Sequence, residues 1–299
     1  MVLKAFWDWS RRETMRFVKM HGLGNDFLLC TPEMRGDLVL SPGVVRRLCD
    51  RHFGIGADGV IEVLPSEVAD VRMRIFNADG SEAEMCGNGI RCLAKFAFER
   101  GMVASETFRV ETKAGIVVPR VVTERGRVVR VVVDMGEPRF RPREIPVDVP
   151  EESALHVAVT VDGREFVLSA VSVGNPHAVI FELPENWEHF GPLIEHHPLF
   201  PQRANVEFAE VLNPKEVRVK VWERGVGATL ACGTGACAVV AAGVARGMLE
   251  RRVLVHLPGG TLTVAWGEDG HLYLEGPAEE VFEAHLLKEA VETWTLPSV

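Results

Sequence analysis

The chain has 299 residues, enough for one large domain or two of ordinary size, and at 47% hydrophobic it can build a substantial core. A net charge of -9 with no cluster of Lys and Arg argues against a nucleic-acid partner, because phosphate contacts need a basic face. No apolar run approaches the ~20 residues that span a bilayer, so no membrane partner is expected.

Residues 1–14 read as an extension ahead of Met15. Arg11-Arg12 is followed by no apolar segment, so a secretory signal is not expected. The cysteines, at 30, 49, 86, 92, 232 and 237, form no dense framework, which points to reduced thiols and a cytoplasmic protein. "GVVRRLCDRHF" (43–53) predicts a helix and "VIEVL" (60–64) a strand. Between them "GIGADG" (54–59) has the letters of a dinucleotide fingerprint. That fingerprint needs a strand before it and a helix after it, and here the order is reversed. "VRMRIFN" (71–77) alternates strictly and predicts a strand. In "EMCGNGIRC" (84–92) a cysteine stands directly before Gly-x-Gly, and an apolar helical pattern follows, with Gly101 placed to end it.

The proline-rich stretch "DMGEPRFRPREIPVDVP" (134–150) reads as a domain boundary. Beyond it "VRVKVWE" (217–223) alternates as a second strand. "LACGTGAC" (230–237) repeats the cysteine motif. The helix that follows, "GACAVVAAGVARG" (235–247), is small or apolar on nearly every face until Arg246. A helix of that kind must be buried on all sides, and Gly247 is placed to end it.

The two halves match. Cys86 and Cys232 are 146 residues apart, as are the two alternating strands and the two "RGM" tripeptides at 100–102 and 246–248. "GN" recurs at 24–25 and 174–175, and "AGIV" (114–117) answers "GGTL" (259–262). Matches in one order at a nearly constant offset imply a duplication, and the period is too long for a solenoid. The expected fold is α/β (α+β), with two pseudo-symmetric domains, each a curved mixed sheet or barrel wrapped around a central helix.

The first turn of a helix offers unpaired N–H groups and a partial positive charge. A cysteine there can have its pKa lowered from about 8.5 towards roughly 3.5–7.5. Flanking glycines let a ligand approach the backbone, and the N–H groups can hold a carboxylate. Two such copies face to face would hold one carboxylate between two sulfurs. That arrangement suits removal of an α-proton from one face and its replacement from the other, with one thiolate and one thiol in any one state.

In these motifs the chain resembles the diaminopimelate epimerase family. The likeness runs through "FVKMHGLGNDF" (17–27), "GIGADG", "NADGSEAEMCGNGIRC" (77–92), "ETKAG" (111–115), "GNPHAV" (174–179), "RANVEF" (203–208) and "WERGVGATLACGTGACA" (222–238). It covers roughly residues 15–285. The resemblance implies a cofactor-independent isomerase that interconverts LL- and meso-diaminopimelate for lysine and peptidoglycan-precursor biosynthesis. It implies domains of 15–133, with a returning strand at about 278–286, and 134–277. Cys86 and Cys232 would be the acid/base pair, and Gly87-Asn88 and Gly233-Thr234 would grip the reacting carboxylate. Asn25, Asn77, Asn175, Asn205, Glu223 and Arg224 match substrate-binding positions. His177 and Glu223 match positions that tune the cysteines. The resemblance leaves room for a homodimer. One departure is Gly59, where some members carry Gln, so no side-chain contact is assigned there.

The remaining cysteines, 30, 49, 92 and 237, read as small core residues. No metal is expected, since Cys-x5-Cys and Cys-x4-Cys are poor ligand spacings and no His spacing lies nearby. A proline-racemase-like or phenazine-biosynthesis-like isomerase of the same architecture is the near alternative. A thiol redox protein is the distant one, and it lacks a Cys-x-x-Cys.

Overall fold

The structure is a computed structural model that describes residues 14–150 and 152–295. Residues 1–13, which include Arg11-Arg12 and most of the expected extension, and residues 296–299 lie outside the described residues. The chain forms two compact units. Among the described residues the first holds 14–21, 26–117 and 279–295, and the second holds 22–25 and 118–278.

The sheet of the first unit runs laterally Glu279–Leu287, Thr14–Gly22, Asn25–Cys30, Gly59–Leu64, Val71–Asn77, Val110–Thr112 and Gly115–Val117. The second sheet runs Val157–Val161, Arg164–Ser172, Pro176–Ile180, Asn205–Asn213, Glu216–Glu223, Arg252–Leu257, Gly260–Trp266, Leu272–Gly276, Arg127–Asp134 and Arg120–Glu124. The same pairings recur in both. Asn25–Cys30 lies parallel to Gly59–Leu64, which pairs antiparallel with Val71–Asn77, which lies parallel to Val110–Thr112. Pro176–Ile180, Asn205–Asn213, Glu216–Glu223 and Arg252–Leu257 repeat that series. Even the register repeats, with Phe27 opposite Gly59 in one copy and His177 opposite Asn205 in the other.

The division of the chain differs from the sequence expectation at 133/134. Arg120–Glu124 pairs with Arg127–Asp134, and Asp134 stands opposite Tyr273 in the second sheet. Residues 118–133 therefore belong to the second unit, and the division follows Val117. Proline density marked a connection inside that unit, because proline interrupts a strand wherever the chain turns, whether or not a domain ends there. The strand Glu279–Leu287 returns to pair antiparallel with Thr14–Gly22.

Each copy carries one buried helix, Gly87–Glu99 or Gly233–Ala245, which the two cysteine motifs open. In the second copy the helix packs on Arg164–Ser172, Pro176–Ile180 and Asn205–Asn213, and also on Gly260–Trp266 and Leu272–Gly276. Those strands lie on both sides of the sheet order, so the sheet curls around the helix. Both helices end alike. Gly101 and Gly247 adopt φ of 68° and 70°. The Met102 and Met248 N–H groups reach back to the carbonyls of Ala97 and Gly243 at 2.9 and 2.8 Å. This is the Schellman closure, and it needs the left-handed residue that glycine supplies. The expected reversal of the dinucleotide fingerprint is also seen, since helix Pro42–Cys49 precedes "GIGADG" and strand Gly59–Leu64 begins at its last residue.

A charged knot closes the first unit's "GIGADG" loop. Arg51 donates bidentately to Asp26 (2.8 and 3.0 Å) and also reaches Asp58 at 2.9 Å. Lys19 pairs with Asp26 and donates to the Gly56 carbonyl. The Asp58 N–H donates to Asp26 Oδ1 at 3.1 Å. Burial pushes the Asp26 carboxyl upward, but the bonds from Arg51 and Lys19 outweigh it and hold the group well below the usual carboxylate range. A depressed carboxyl contributes stability that is present above its unfolded pKa of about 3.9 and is lost as pH falls below it. Asp26→Asn leaves Lys19 without its buried anion and is expected to cost roughly 3 kcal/mol at pH 7. Urea unfolding at a series of pH values checks this: the gap between wild type and variant should narrow as the pH drops below about 4.

Candidate active site

In the second copy, Cys232 is the N-cap of its helix, in extended backbone (φ -120°, ψ 115°). The Gly235 N–H donates to its Sγ at 3.3 Å, and Thr234 Oγ1 lies 3.4 Å away. The residue is only 6% exposed. Burial pushes this thiol well above its ordinary value, the charges of Glu223 and Glu207 push it further, and the Thr234 and Gly235 donors only partly oppose them. The position at a helix start predicts the opposite shift. Enclosure and two carboxylates outweigh the helix terminus, so Cys232 is a thiol at neutral pH.

Around it stand strand ends of the same unit. His177 is fully buried on Pro176–Ile180; its Nδ1 faces Glu207 Oε1 at 2.7 Å and its Nε2 faces Asn175 Oδ1 at 2.8 Å. Asn175 enters this strand behind Gly174, whose φ of 88° makes the turn. Asn205 is buried; its Nδ2 donates to the Pro176 carbonyl (3.2 Å) and its Oδ1 accepts the Arg224 N–H (2.9 Å). The amide thus staples the Arg224 turn to the neighbouring strand. Arg224 itself is exposed and donates from Nη1 to the Gln202 carbonyl at 3.1 Å. Glu223 accepts from Thr229 Oγ1 at 2.6 Å.

The first copy repeats the frame with different chemistry. Cys86 is the N-cap of Gly87–Glu99 (φ -145°, ψ 122°), half-buried, and its sulfur makes no capping bond to its own helix. The Asn88 side chain is buried and accepts from Arg91 Nη2 at 3.0 Å, while the Gly87 carbonyl accepts from Arg91 Nη1 at 3.2 Å. Asn77 closes its strand and donates to Ser81 Oγ at 3.0 Å. Asn25 ends the Gly22–Asn25 hairpin, which groups with the second unit, where Leu23 is buried in the core.

The second glycine of each motif serves packing more than ligand approach. A Cβ on Gly89 would meet Ile61 at 3.0 Å, and one on Gly235 would meet Glu207 Oε1 at 2.6 Å. At Gly59 a Cβ would fall 2.4 Å from the Phe76 carbonyl oxygen, so the backbone here holds glycine alone. Cys30, Cys49, Cys92 and Cys237 are buried. Burial pushes Cys30, Cys49 and Cys92 up to about 12. Such thiols are unreactive near neutrality.

Three polar residues at or near the site escaped sequence reasoning. Glu207 and Arg91 are fully buried, and Glu195 is 3% exposed. Glu195 accepts from Trp222 Nε1 and from the Gly225 N–H, both at 2.9 Å, and so fixes the turn that carries Glu223 and Arg224. A charged residue inside a short apolar run, as Glu207 is in "VEFA" (206–209), is the one signal that could have marked it.

Comparison with known proteins bears on this geometry. The family profile described as diaminopimelate epimerase matches residues 17–141 and 169–281. A protein of Pelotomaculum thermopropionicum named diaminopimelate epimerase is 55% identical over 90% of this chain and 97% of its own length. Another of that name from Desulfitobacterium hafniense is 51% identical over 93% and 100%. Among solved structures, a hydroxyproline epimerase from Agrobacterium vitis superposes with a TM-score of 0.65 at 17% identity, covering 91% of each chain. A Bacillus anthracis phenazine biosynthesis protein of the PhzF family gives 0.62 at 19% identity, over 92% of this chain and 99% of its own. These distant structures share the fold. With both cysteine motifs inside the matched segments and more than half of its aligned residues identical to those of named relatives, the chain belongs to the diaminopimelate epimerase family.

Proposed function

We propose that the chain is an isomerase that interconverts LL- and meso-diaminopimelate without a cofactor, using Cys86 and Cys232 as its two acid/base groups. The observation that carries this reading is the duplicated N-cap cysteine in a chain of this family, and the burial that pushes the Cys232 thiol up supports unlike protonation of the two sulfurs. In one direction the Cys86 thiolate accepts the α-proton, and the electron pair moves into the carboxylate. N–H groups of the two helix starts, at Gly87-Asn88 and Gly233-Thr234, stabilise the developing charge. Cys232 then delivers its proton to the opposite face. Cys86 ends as the thiol and Cys232 as the thiolate, so the reverse reaction starts from that state and the proton count balances. The distal amino-acid end needs acceptors for its ammonium and donors for its carboxylate. Asn25, Asn77, Asn175, Glu223 and Arg224 supply both kinds, and Asn205 holds the Arg224 turn in place. The same reading puts the enzyme in the cytoplasm, where its thiols stay reduced.

Cys86→Ala and Cys232→Ala are each expected to lower turnover of LL-diaminopimelate at least a thousandfold, a loss of about 4 kcal/mol of transition-state stabilisation. Cys49→Ala and Cys92→Ala should retain most activity once folded. Near-normal turnover by either variant of the first pair would end the two-thiol reading.

Proton bookkeeping gives a second test. In D₂O, product from the first turnovers should carry deuterium at the inverted centre, because the proton removed by one sulfur is not the one delivered by the other. Recovered substrate should carry little label, since a thiol that has just accepted protium returns protium on the reverse step. Early-time mass spectrometry of the separated stereoisomers reads both. Product that keeps its original α-hydrogen would show a single base serving both faces.

A further inference from the structure

Glu207 is the least expected residue in the second sheet. It lies mid-strand in Asn205–Asn213, fully buried, between Val206 and Phe208. Its Oε1 accepts from His177 Nδ1 at 2.7 Å. Its Oε2 is the buried side-chain nitrogen or oxygen without a hydrogen-bond partner among the described residues. A buried carboxylate with one oxygen unsatisfied costs free energy, and a hydrophobic residue of similar volume commonly does as well or better for stability.

The duplication supplies the control. The counterpart of Glu207, 146 residues earlier, is Ile61. Ile61 pairs with Ile75 where Glu207 pairs with Val221, and it packs on Gly89 where Glu207 packs on Gly235. The residue on the neighbouring strand diverges in step, being Phe27 in the first copy and His177 in the second. The fold is thus built with an apolar pair at these positions in one copy. The ionisable pair of the other copy serves something besides packing.

The hydrogen bonds show what that is. Both nitrogens of His177 face acceptor oxygens, Glu207 Oε1 and Asn175 Oδ1. That arrangement is satisfied when each ring nitrogen carries an N–H and donates it to the oxygen it faces. With Nε2–H donating to Asn175 Oδ1, the amide of this half-buried residue is held in one orientation, and its Nδ2 is the end turned away from the ring. Without the carboxylate, Nδ1 would lose its acceptor and nothing would require a proton on both ring nitrogens. One ring nitrogen would then become an acceptor, and the Asn175 amide could flip.

We propose that Glu207 is a positioning residue: through His177 it fixes the Asn175 amide with its N–H₂ end toward the ligand, as a donor for a substrate carboxylate. This rests on the epimerase reading for the identity of the ligand, but the protonation of His177 is independent of it.

The test uses wild type, Glu207→Gln, Asn175→Ala and the double variant, in the full chain. Glutamine keeps the shape and can still accept from Nδ1–H, so the variant folds where alanine would leave His177 unpartnered. In wild type labelled with ¹⁵N-histidine, NMR at pH 7 should show protons on both His177 nitrogens; in Glu207→Gln one of them should be lost. KM for diaminopimelate should rise about tenfold in Glu207→Gln, while kcat responds separately because the same carboxylate pushes the Cys232 thiol up. In KM the double variant should be no worse than Asn175→Ala alone. A His177 ring with a single proton in wild type would overturn the proposal. So would a KM of Glu207→Gln that matches wild type, or effects of the two substitutions on KM that simply multiply. Wild type that leaves diaminopimelate unchanged would instead bring down the functional reading, and the histidine spectrum would still decide the role of Glu207 in orienting Asn175.

Discussion

The chemistry of the second unit depends on the enclosure of one helix. From Gly233 to Gly243 nearly every residue of that helix is buried, and none carries a charge. Such a helix gains nothing from water on any face, so the sheet must close around it. Closure fixes the axis, and the axis fixes where the first turn begins. Cys232, its N-cap, is therefore placed by the apolar packing behind it, and its bonds to Gly235 and Thr234 stay within the first turn. Its small residues also bring sheet and helix backbones close together. At Gly235 the approach is near enough that a Cβ would lie 2.6 Å from Glu207 and 3.3 Å from the cysteine sulfur. A carboxylate and a thiol crowd one α-carbon because nothing larger than hydrogen stands between them.

That crowding explains why a helix start fails to acidify this cysteine. The terminus favours an anion, but its effect fades within one turn and is worth about 1 kcal/mol at an exposed site. Cys232 is enclosed, and the charges of Glu223 and Glu207 act through a poorly screened interior. The local dipole loses to burial and like charge. A motif read from sequence gives the dipole; the carboxylates come from strands distant in the chain.

The frame was legible in the sequence because duplication prints it twice. Strict alternation gave Val71–Asn77 and Glu216–Glu223 to within a residue, and Gly101 and Gly247 marked both helix ends. Legibility failed where a residue's meaning depends on a partner in space. Glu195 reads as one more acidic residue in a helix, yet its two oxygens hold Trp222 and Gly225. Arg91 lies mid-helix with a cation that would ordinarily face water, yet it bonds back to Gly87 and Asn88. The proline-rich stretch misled for a related reason. Proline reports local backbone, while sheet membership is set by the strand at the far end, here Leu272–Gly276 beside Arg127–Asp134.

The two copies share geometry and differ in charge. Where the second copy has His177, Asn205, Glu207 and Glu223, the first has Phe27, Gly59, Ile61 and Asn77. Both carboxylates that push the Cys232 thiol up are absent from the matching positions of the first copy. A pair of acid/base groups works only if their protonation states differ, and two identical half-sites would give two sulfurs with equal claim to the proton. Placing Glu207 and Glu223 in one copy makes the surroundings of the two cysteines unlike without altering the backbone that holds either of them. Divergence at Ile61/Glu207 and Asn77/Glu223 costs little packing, since the strands keep their register and the helices keep their caps. The duplicated scaffold therefore supplies position, and the departures from duplication supply the difference in charge around the two cysteines.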